Sequence, residues 1–421
     1  MKRIFYGWWI VFATSLIHIW GAGTFFYSFT ALFNPIVNEF GWSYAATSFA
    51  ASLRSIEGGI ASPVVGFATD RYGARRLLLL GCFLAGIGFI LLSRIHSLGS
   101  FYLVFIFLSI GSSLLFPVPG WTVVANWFVK KRGLALGVLS GAIGLGGFVI
   151  YIVNWLIELY GWRSTLVILG VVMWVIGFPS ALVVKNRPDA DGQIPAEDDE
   201  GPPEQDRSAR HIGPKTGGDQ EFTAREALKT STFWMLALIV TLSAAALHAV
   251  MVHVMPYFIS LHFSRATAGL IASMLVLVST PGRFILGWLT ARVDTRYLLA
   301  LALLLQGLGL VALELAEDLG LAALFVILFG PGYGGVITLR LTIQADYFGQ
   351  KAYGSIQGIM MAVLISGTIS SPLLSGYCYD VYGSYRLAWL IMAALLLAVT
   401  PLAILAKPPK KRQAVVIETN G

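Results

Sequence analysis

"GFATDRYGARRLLLLG", residues 66–81, returns in a weaker copy as "GWLTARVDTRYLLALA" at 287–302. Two further matches keep almost the same spacing. "ANWFVKKRGLALGVLSG" at 125–141 pairs with "ADYFGQKAYGSIQGIMM" at 345–361, and "YGWRSTLVILG" at 160–170 with "YGSYRLAWLIM" at 382–392. The offsets are 221, 220 and about 222 residues. Three matches at one offset describe a chain built as two parallel copies of one unit.

What surrounds these motifs sets the solvent. Of 421 residues, 57% are hydrophobic and only 12% charged, against about 25% charged in a soluble domain. About 20 apolar residues cross a bilayer as a helix. Twelve such stretches follow one another, near 8–32, 45–69, 77–94, 100–127, 134–157, 163–184, 232–261, 267–291, 297–316, 319–345, 353–378 and 385–406. The expected fold is an all-α membrane protein, twelve transmembrane helices in two pseudo-symmetric six-helix bundles. Its parts are a bundle at 1–184, a linker at 185–231, a second bundle at 232–406 and a tail at 407–421. Within the linker, 187–220 is rich in Pro, Gly and charge and reads as disordered. "EFTAREALKTSTFW" reads as a short amphipathic helix leading into span seven. The run after Lys2 and Arg3 is too long for a secretion signal and lacks a cleavage site, so nothing is expected to be removed.

Basic residues give the orientation. Lys2 and Arg3, then Arg71, Arg75 and Arg76, then Lys130, Lys131 and Arg132, then the linker, Arg292 and Arg296, Lys351 and the tail lie on one side. The alternate connections hold only Arg94, Arg163, Arg265 and Arg386. Both termini are therefore expected in the cytoplasm of a multi-pass protein of the plasma (inner) membrane. The formal charge of +7 follows from that topology and from contact with membrane lipids, and calls for no nucleic acid. Cys82 and Cys378 lie in separate spans and imply neither a disulfide nor a metal site. No phosphate-cradling loop, Ser/His/Asp set or nucleotide fingerprint emerges, which argues against a pump or an enzyme and implies no cofactor.

With the repeats and spans in hand, the chain resembles the major facilitator superfamily over nearly its whole length. "GFATDRYGARR" is similar to that family's loop between helices two and three. The resemblance implies a cytoplasmic latch made by Gly66, Asp70, Arg71, Gly73, Arg75 and Arg76, where plain positive-inside topology is the competing reading. A narrower resemblance is to monocarboxylate transporters and oxalate/formate antiporters. It rests on "YGWWIV" at 6–11, "NWFVKKRGLALGVLSGAIGLGG" at 126–147 and "FTAREALKTSTFWML" at 222–236.

"LVLVSTPGRFILGW" at 275–288 carries a permanent charge, Arg283, about 12 Å into the bilayer. Such a charge costs at least about 2.5–3.5 kcal/mol, so it needs a carboxylate partner, helix-end carbonyls or an anionic ligand. The resembling families hold their carboxylate substrate with an Arg at this place. They differ from this chain nearby. Animal monocarboxylate transporters place an Asp where Ser279 stands and a Lys near Tyr27 or Ser28. The oxalate exchanger adds a Lys in helix eleven, where "GSIQGIMMAVLISGTISSPLL" has no charge. One central cation matches one substrate charge, which favours a monocarboxylate.

Tyr27, Trp121, Tyr257 and Tyr333 are aromatics near the central level that can shape the pocket, with Ser279 beside Arg283. "FPVPGW" at 116–121 and "GPGYGG" at 330–335 read as helix breaks at matching depths. Glu57 and His253 are the proton-coupling candidates, although Arg54 three residues before Glu57 suggests a structural pair, and a lone His is commonly a packing residue. The expected function is secondary transport of a small monocarboxylate with a proton, by a chain that works as a monomer. An organic-anion exchanger of the oxalate/formate type and a transporter-like membrane sensor are the alternatives.

Overall fold

The computed structural model describes residues 5–128, 132–186, 222–349 and 352–409, with the side chains of Asp70, Arg132, Gly133, Tyr353, Gly354 and Ser355 outside that description. Every regular element among the described residues is helical. The first span is composite: α1 (Tyr6–Gly21), a π-helical segment (Ala22–Tyr27) and α2 (Phe29–Phe40). α3 (Tyr44–Tyr72) and α4 (Ala74–Leu92) follow, then α5 (Leu98–Ser113) and α6 (Val118–Trp127), α7 (Arg132–Leu145) and α8 (Gly147–Val183). The second half holds α9 (Ala224–Ala227), α10 (Ser231–Ser260), α11 (Arg265–Leu289), α12 (Thr295–Glu314), α13 (Leu319–Phe348), α14 (Tyr353–Tyr382) and α15 (Arg386–Leu405).

Among the described residues, ten helical stretches are long and apolar enough to cross a membrane. One of them, Leu134–Val183, has 50 residues and at 1.5 Å each would reach about 75 Å, far more than one bilayer. It bends at Gly161, whose φ of 74° and ψ of 162° suit a residue without a Cβ, so it makes two spans. α3, with 29 residues, is long enough but carries Arg54 and Glu57 at mid-length. With that division and that addition the spans number twelve. The starts of α3, α5, α10, α11, α12 and α13 are each capped by a side-chain oxygen, from Ser43, Ser97, Thr230, Ser264, Asp294 and Asp318. These residues satisfy amides that the helix cannot.

Within the first half α4 packs on α5 and α8, and α1 on α7 and α8. In the second half α12 packs on α13 and α15, α11 on α13, and α10 on α14. The halves meet where α3 faces α14, α8 faces α11 and α2 faces α10. We call the end where α1 begins and α15 finishes the proximal end, and the opposite one distal.

At the distal end the halves are stitched together. The Asp380 carboxylate accepts the Tyr44 and Ala45 amides, each at 2.8 Å, so an acid of α14 caps the start of α3. Thr30 Oγ1 accepts the Met255 amide at 3.1 Å, Arg265 donates to the Ala31 carbonyl at 2.5 Å, and Ser52 donates to the Ile369 carbonyl at 2.6 Å.

Two expectations change, and a third is not reached. "FPVPGW" does separate α5 from α6, but "GPGYGG" lies inside the unbroken α13. Its glycines serve close packing instead: a Cβ on Gly332 would meet the Ala302 carbonyl and one on Gly334 the Ser279 carbonyl. The amphipathic helix before span seven shortens to the single turn of α9, held by a capping box between Thr223 and Glu226. The linker stretch expected to be disordered, 187–220, lies outside the described residues.

Candidate functional site

A cavity of about 370 Å³ lies between the halves on the proximal side of the distal stitches. The first half contributes Phe26, Tyr27, Trp121 and Ser140, and the second contributes His248, Arg283, Tyr333 and Arg340. A second cavity, of about 240 Å³, adjoins it through Phe26, Phe116, His248 and Leu364 and is walled by Arg54, Glu57 and Ser113. Apart from these polar groups the first wall is mostly apolar, with residues such as Ile143, Leu247 and Val336.

The backbone fixes Arg283 before its side chain does. Gly282 lies so close to the backbone of Pro331 that a Cβ there would clash, and Gly334 sits equally close to Ser279. α11 and α13 thus touch at backbone level, and the long side chain at 283 leaves this contact for the cavity. Its Nη1 donates to the Ser140 carbonyl of the other half at 3.4 Å, a weak contact. The guanidinium carbon lies 5.9 Å from the centre of the Tyr333 ring. Arg283 Nε and the Tyr333 hydroxyl are both buried without a hydrogen-bond partner. Among the described residues no carboxylate pairs with Arg283. Both residues line the cavity and the Tyr27 and Tyr333 hydroxyls stand near the guanidinium, but its charge has no carboxylate beside it, and an anion in the cavity would supply one.

The cavity therefore gathers Arg283, Tyr27, Trp121 and Tyr333. It does not gather Ser279, Tyr257 or His253. Ser279 is fully buried and its hydroxyl donates to the Val276 carbonyl at 2.6 Å. Tyr257 packs on Trp389 and donates to the Leu313 carbonyl at 2.6 Å. Both occupy helix faces turned into the second half, so their proposed place in the pocket is corrected. His253 is fully buried in the distal stitching. Its Nε2 lies 2.9 Å from the Pro372 carbonyl and 3.1 Å from Ser48 Oγ, and its Nδ1 3.1 Å from the Tyr385 hydroxyl. A carbonyl only accepts, so Nε2 bears a proton, and Nδ1 shares a hydrogen bond with the Tyr385 hydroxyl. The imidazole is a bridge within the distal stitching, away from either cavity.

Arg54 and Glu57 are not a pair. The Arg54 guanidinium donates to the carbonyls of Phe25 and Phe26, at 3.1 and 3.5 Å, and stacks 4.4 Å from the Phe26 ring. Glu57 accepts from Ser113 Oγ, at 3.1 and 3.0 Å to its two oxygens. The sequence reading also missed Arg340, which shares the cavity wall with Arg283 and approaches Met361 Sδ at 3.9 Å. A charge inside an apolar span was the available signal. The count of a single central cation is overturned by it.

Of the loop motif, Gly73 takes φ 84° between α3 and α4, the Arg75 amide donates to Asn186 Oδ1 at 3.1 Å, and Arg71 lies 5.6 Å from the Tyr72 ring. Gly66 and Arg76 lie in α3 and α4 on either side. The Asp70 side chain, on which the latch turns, is outside the described residues.

Two six-helix halves around a cavity that is closed at one end define a membrane transporter rather than an enzyme. The Major Facilitator Superfamily model matches residues 15–264 and 250–419, and the chain belongs to that family. Its relatives include monocarboxylate transporter 12 of Mus musculus, 26% identical over 84% of this chain and 75% of the relative, and monocarboxylate transporter 2 of Homo sapiens, 23% identical over 93% and 84%. In fold it is similar to a bacterial homologue of the human lysosomal transporter Spinster, in an inward-facing and occupied conformation. That likeness has a TM-score of 0.75 at 15% identity, covering 96% of this chain and 97% of the other.

Proposed function

We propose that the chain carries a small monocarboxylate, of the lactate, pyruvate, acetate or formate class, across the inner membrane together with a proton by alternating access. The observation that carries this reading is Arg283 on the cavity wall beside the Tyr27 and Tyr333 hydroxyls, with no carboxylate paired to it among the described residues. A guanidinium presents a planar fork that matches a carboxylate, and the apolar remainder of the wall suits the body of a small organic acid. The names of the relatives support the same substrate class. Halves at 1–184 and 232–406 rock about the cavity, joined by 185–231. The basic residues of the proximal connections put that end in the cytoplasm. One chain holds both halves of the cavity, so a monomer suffices.

Arg340 favours a second reading. Two arginines on one wall suit an organic dianion, which an exchanger of the oxalate/formate type would move against a second anion. Uptake of labelled lactate, acetate and oxalate into proteoliposomes, with and without an imposed pH gradient, separates the two. Symport predicts lactate or acetate uptake driven by an inward proton gradient from empty vesicles. Oxalate uptake that ignores the gradient and needs an internal anion would replace symport with exchange. Binding without turnover would replace both with a sensor.

A further inference from the structure

The smaller cavity holds a carboxylate with an unusual set of neighbours. Glu57 lies half-way along α3, partly exposed to that cavity, and its polar partner is the neutral Ser113 hydroxyl of α5. The titratable and charged groups around it are Arg54 on its own helix and His248 on α10. α14 contributes Leu364 and Thr368, and the first span Phe25 and Phe26. Arg54 is directed away, onto the carbonyls of Phe25 and Phe26.

We propose that Glu57 is the group that carries the proton, and that it couples to the substrate through charge balance with Arg283. This rests on the reading of the preceding subsection. The coupling follows from which forms of the carrier can reorient through a low-dielectric membrane. Arg54, on the carbonyls of Phe25 and Phe26, and Arg340, beside Met361, have partners of their own and keep the same charge in every form of the carrier, so the balance concerns the groups that change and the guanidinium that the substrate meets. With substrate bound, Arg283⁺, the carboxylate anion and a protonated Glu57 sum to zero. Empty, Arg283⁺ and an ionised Glu57 also sum to zero. The two mixed forms each place one uncompensated charge at mid-membrane: substrate bound with Glu57 ionised, or the empty carrier with Glu57 protonated. The carrier thus crosses with both or with neither. One proton binds Glu57 on one side and leaves on the other, and the substrate stays an anion throughout.

Two details fit this task. An acid in an ion pair cannot take up a proton without leaving a buried cation alone, and Glu57 has no such pair among the described residues. Its hydrogen bond also survives protonation. Ser113 donates to the ionised form, and its oxygen accepts from the neutral acid while its own hydrogen turns to a carbonyl of its helix. The shared walls Phe26, Phe116, His248 and Leu364 keep the proton and the anion in separate but adjoining chambers.

The test uses purified full-length protein in proteoliposomes with labelled lactate. Glu57→Gln fixes the neutral form, so the loaded carrier still reorients and the empty one does not. Net uptake driven by a proton gradient should fall by about tenfold or more, while exchange of labelled for unlabelled lactate stays within about threefold of wild type and loses its pH dependence. Proton-driven net uptake by Glu57→Gln at the wild-type rate overturns the proposal, as does a folded Glu57→Gln that loses exchange as well. If that variant does not fold, Ser113→Ala decides: it removes a hydrogen bond to the ionised form and should displace the pH profile of uptake, and an unmoved profile overturns the proposal. Wild-type protein that moves no carboxylate would instead defeat the reading on which the proposal rests.

Discussion

The two ends of the seam between the halves are made of different materials. At the distal end, polar side chains bind the backbone of the opposite half: Asp380 on Tyr44 and Ala45, Thr30 on Met255, Arg265 on Ala31, Ser52 on Ile369. His253 lies at their centre. At the level of the cavity, by contrast, Arg283 makes one long bond to Ser140 of the other half and lies beside Tyr27 and Tyr333 in a wall that is mostly apolar. These bonds pair a side chain with a neutral backbone group, so the seam opens without separating two opposite charges. A cavity built around an unpaired guanidinium rewards an anion. On the function proposed above, the difference separates a group of residues that hold a conformation from a group that selects a ligand.

Substitutions at four positions break or sharpen that contrast. Arg283→Ala should have the largest effect. Loss of a charge-assisted bidentate contact of roughly 1.5–3 kcal/mol weakens carboxylate affinity about tenfold to more than a hundredfold. Arg283→Lys should recover only part of it, because an ammonium lacks the fork. The concentration dependence of lactate uptake measures both, and wild-type affinity in folded Arg283→Ala would erase the functional side of the comparison.

His253→Ala comes next, and should act on stability. It leaves the Tyr385 hydroxyl, Ser48 and the Pro372 carbonyl without their shared partner, at a cost of about 1–3 kcal/mol, read as a lower unfolding temperature in detergent. Lactate affinity should hardly change. A variant that kept its stability but lost its pH response would move His253 into the chemistry.

Asp380→Asn removes the charge but keeps one acceptor. The site is exposed, so about 0.5–1.5 kcal/mol is at stake, a two- to tenfold shift toward the distally open state. Thr47, fully buried in the distal part of α3, provides the probe. Thr47→Cys, in a background with Cys82 and Cys378 replaced, should label faster in the Asp380→Asn protein.

Arg163→Ala is the control with the smallest effect. Arg163 pairs with Glu39 at 2.6 Å at the same end, but inside one half. Partly exposed pairs of this kind contribute about 1 kcal/mol or less, so stability should drop slightly and Thr47→Cys labelling should not change. Faster labelling would mean that the distal end is one network rather than a seam.

Much of this was readable in the chain. The repeat and the twelve apolar stretches follow from local rules, and Arg283 stands out because every neighbour is apolar, small or hydroxylic. Arg340 carries the same signal but sits among Thr338, Thr342, Gln344 and Asp346, which dilute it. Tyr257 and Ser279 were misplaced for a different reason. A helix surrounded by lipid on one side and protein on the other is apolar all round, so no periodic pattern tells which face meets the cavity. The three-residue spacing of Arg54 and Glu57 suggested a pair, but spacing cannot reveal that carbonyls of the π-helical segment and a serine two helices away compete for them.

That π-helical segment has a consequence for anyone aligning this chain. Six residues, Ala22–Tyr27, hydrogen-bond across a wider turn than the helices on either side, which accommodates one residue more than a regular helix would need. Each residue of an α-helix turns the wheel by about 100°. An ungapped comparison with a relative that lacks the bulge therefore puts every position before Ala22 on the wrong face, and the lysine-bearing position that Tyr27 or Ser28 was taken to match is fixed only once a one-residue gap is placed inside 22–27.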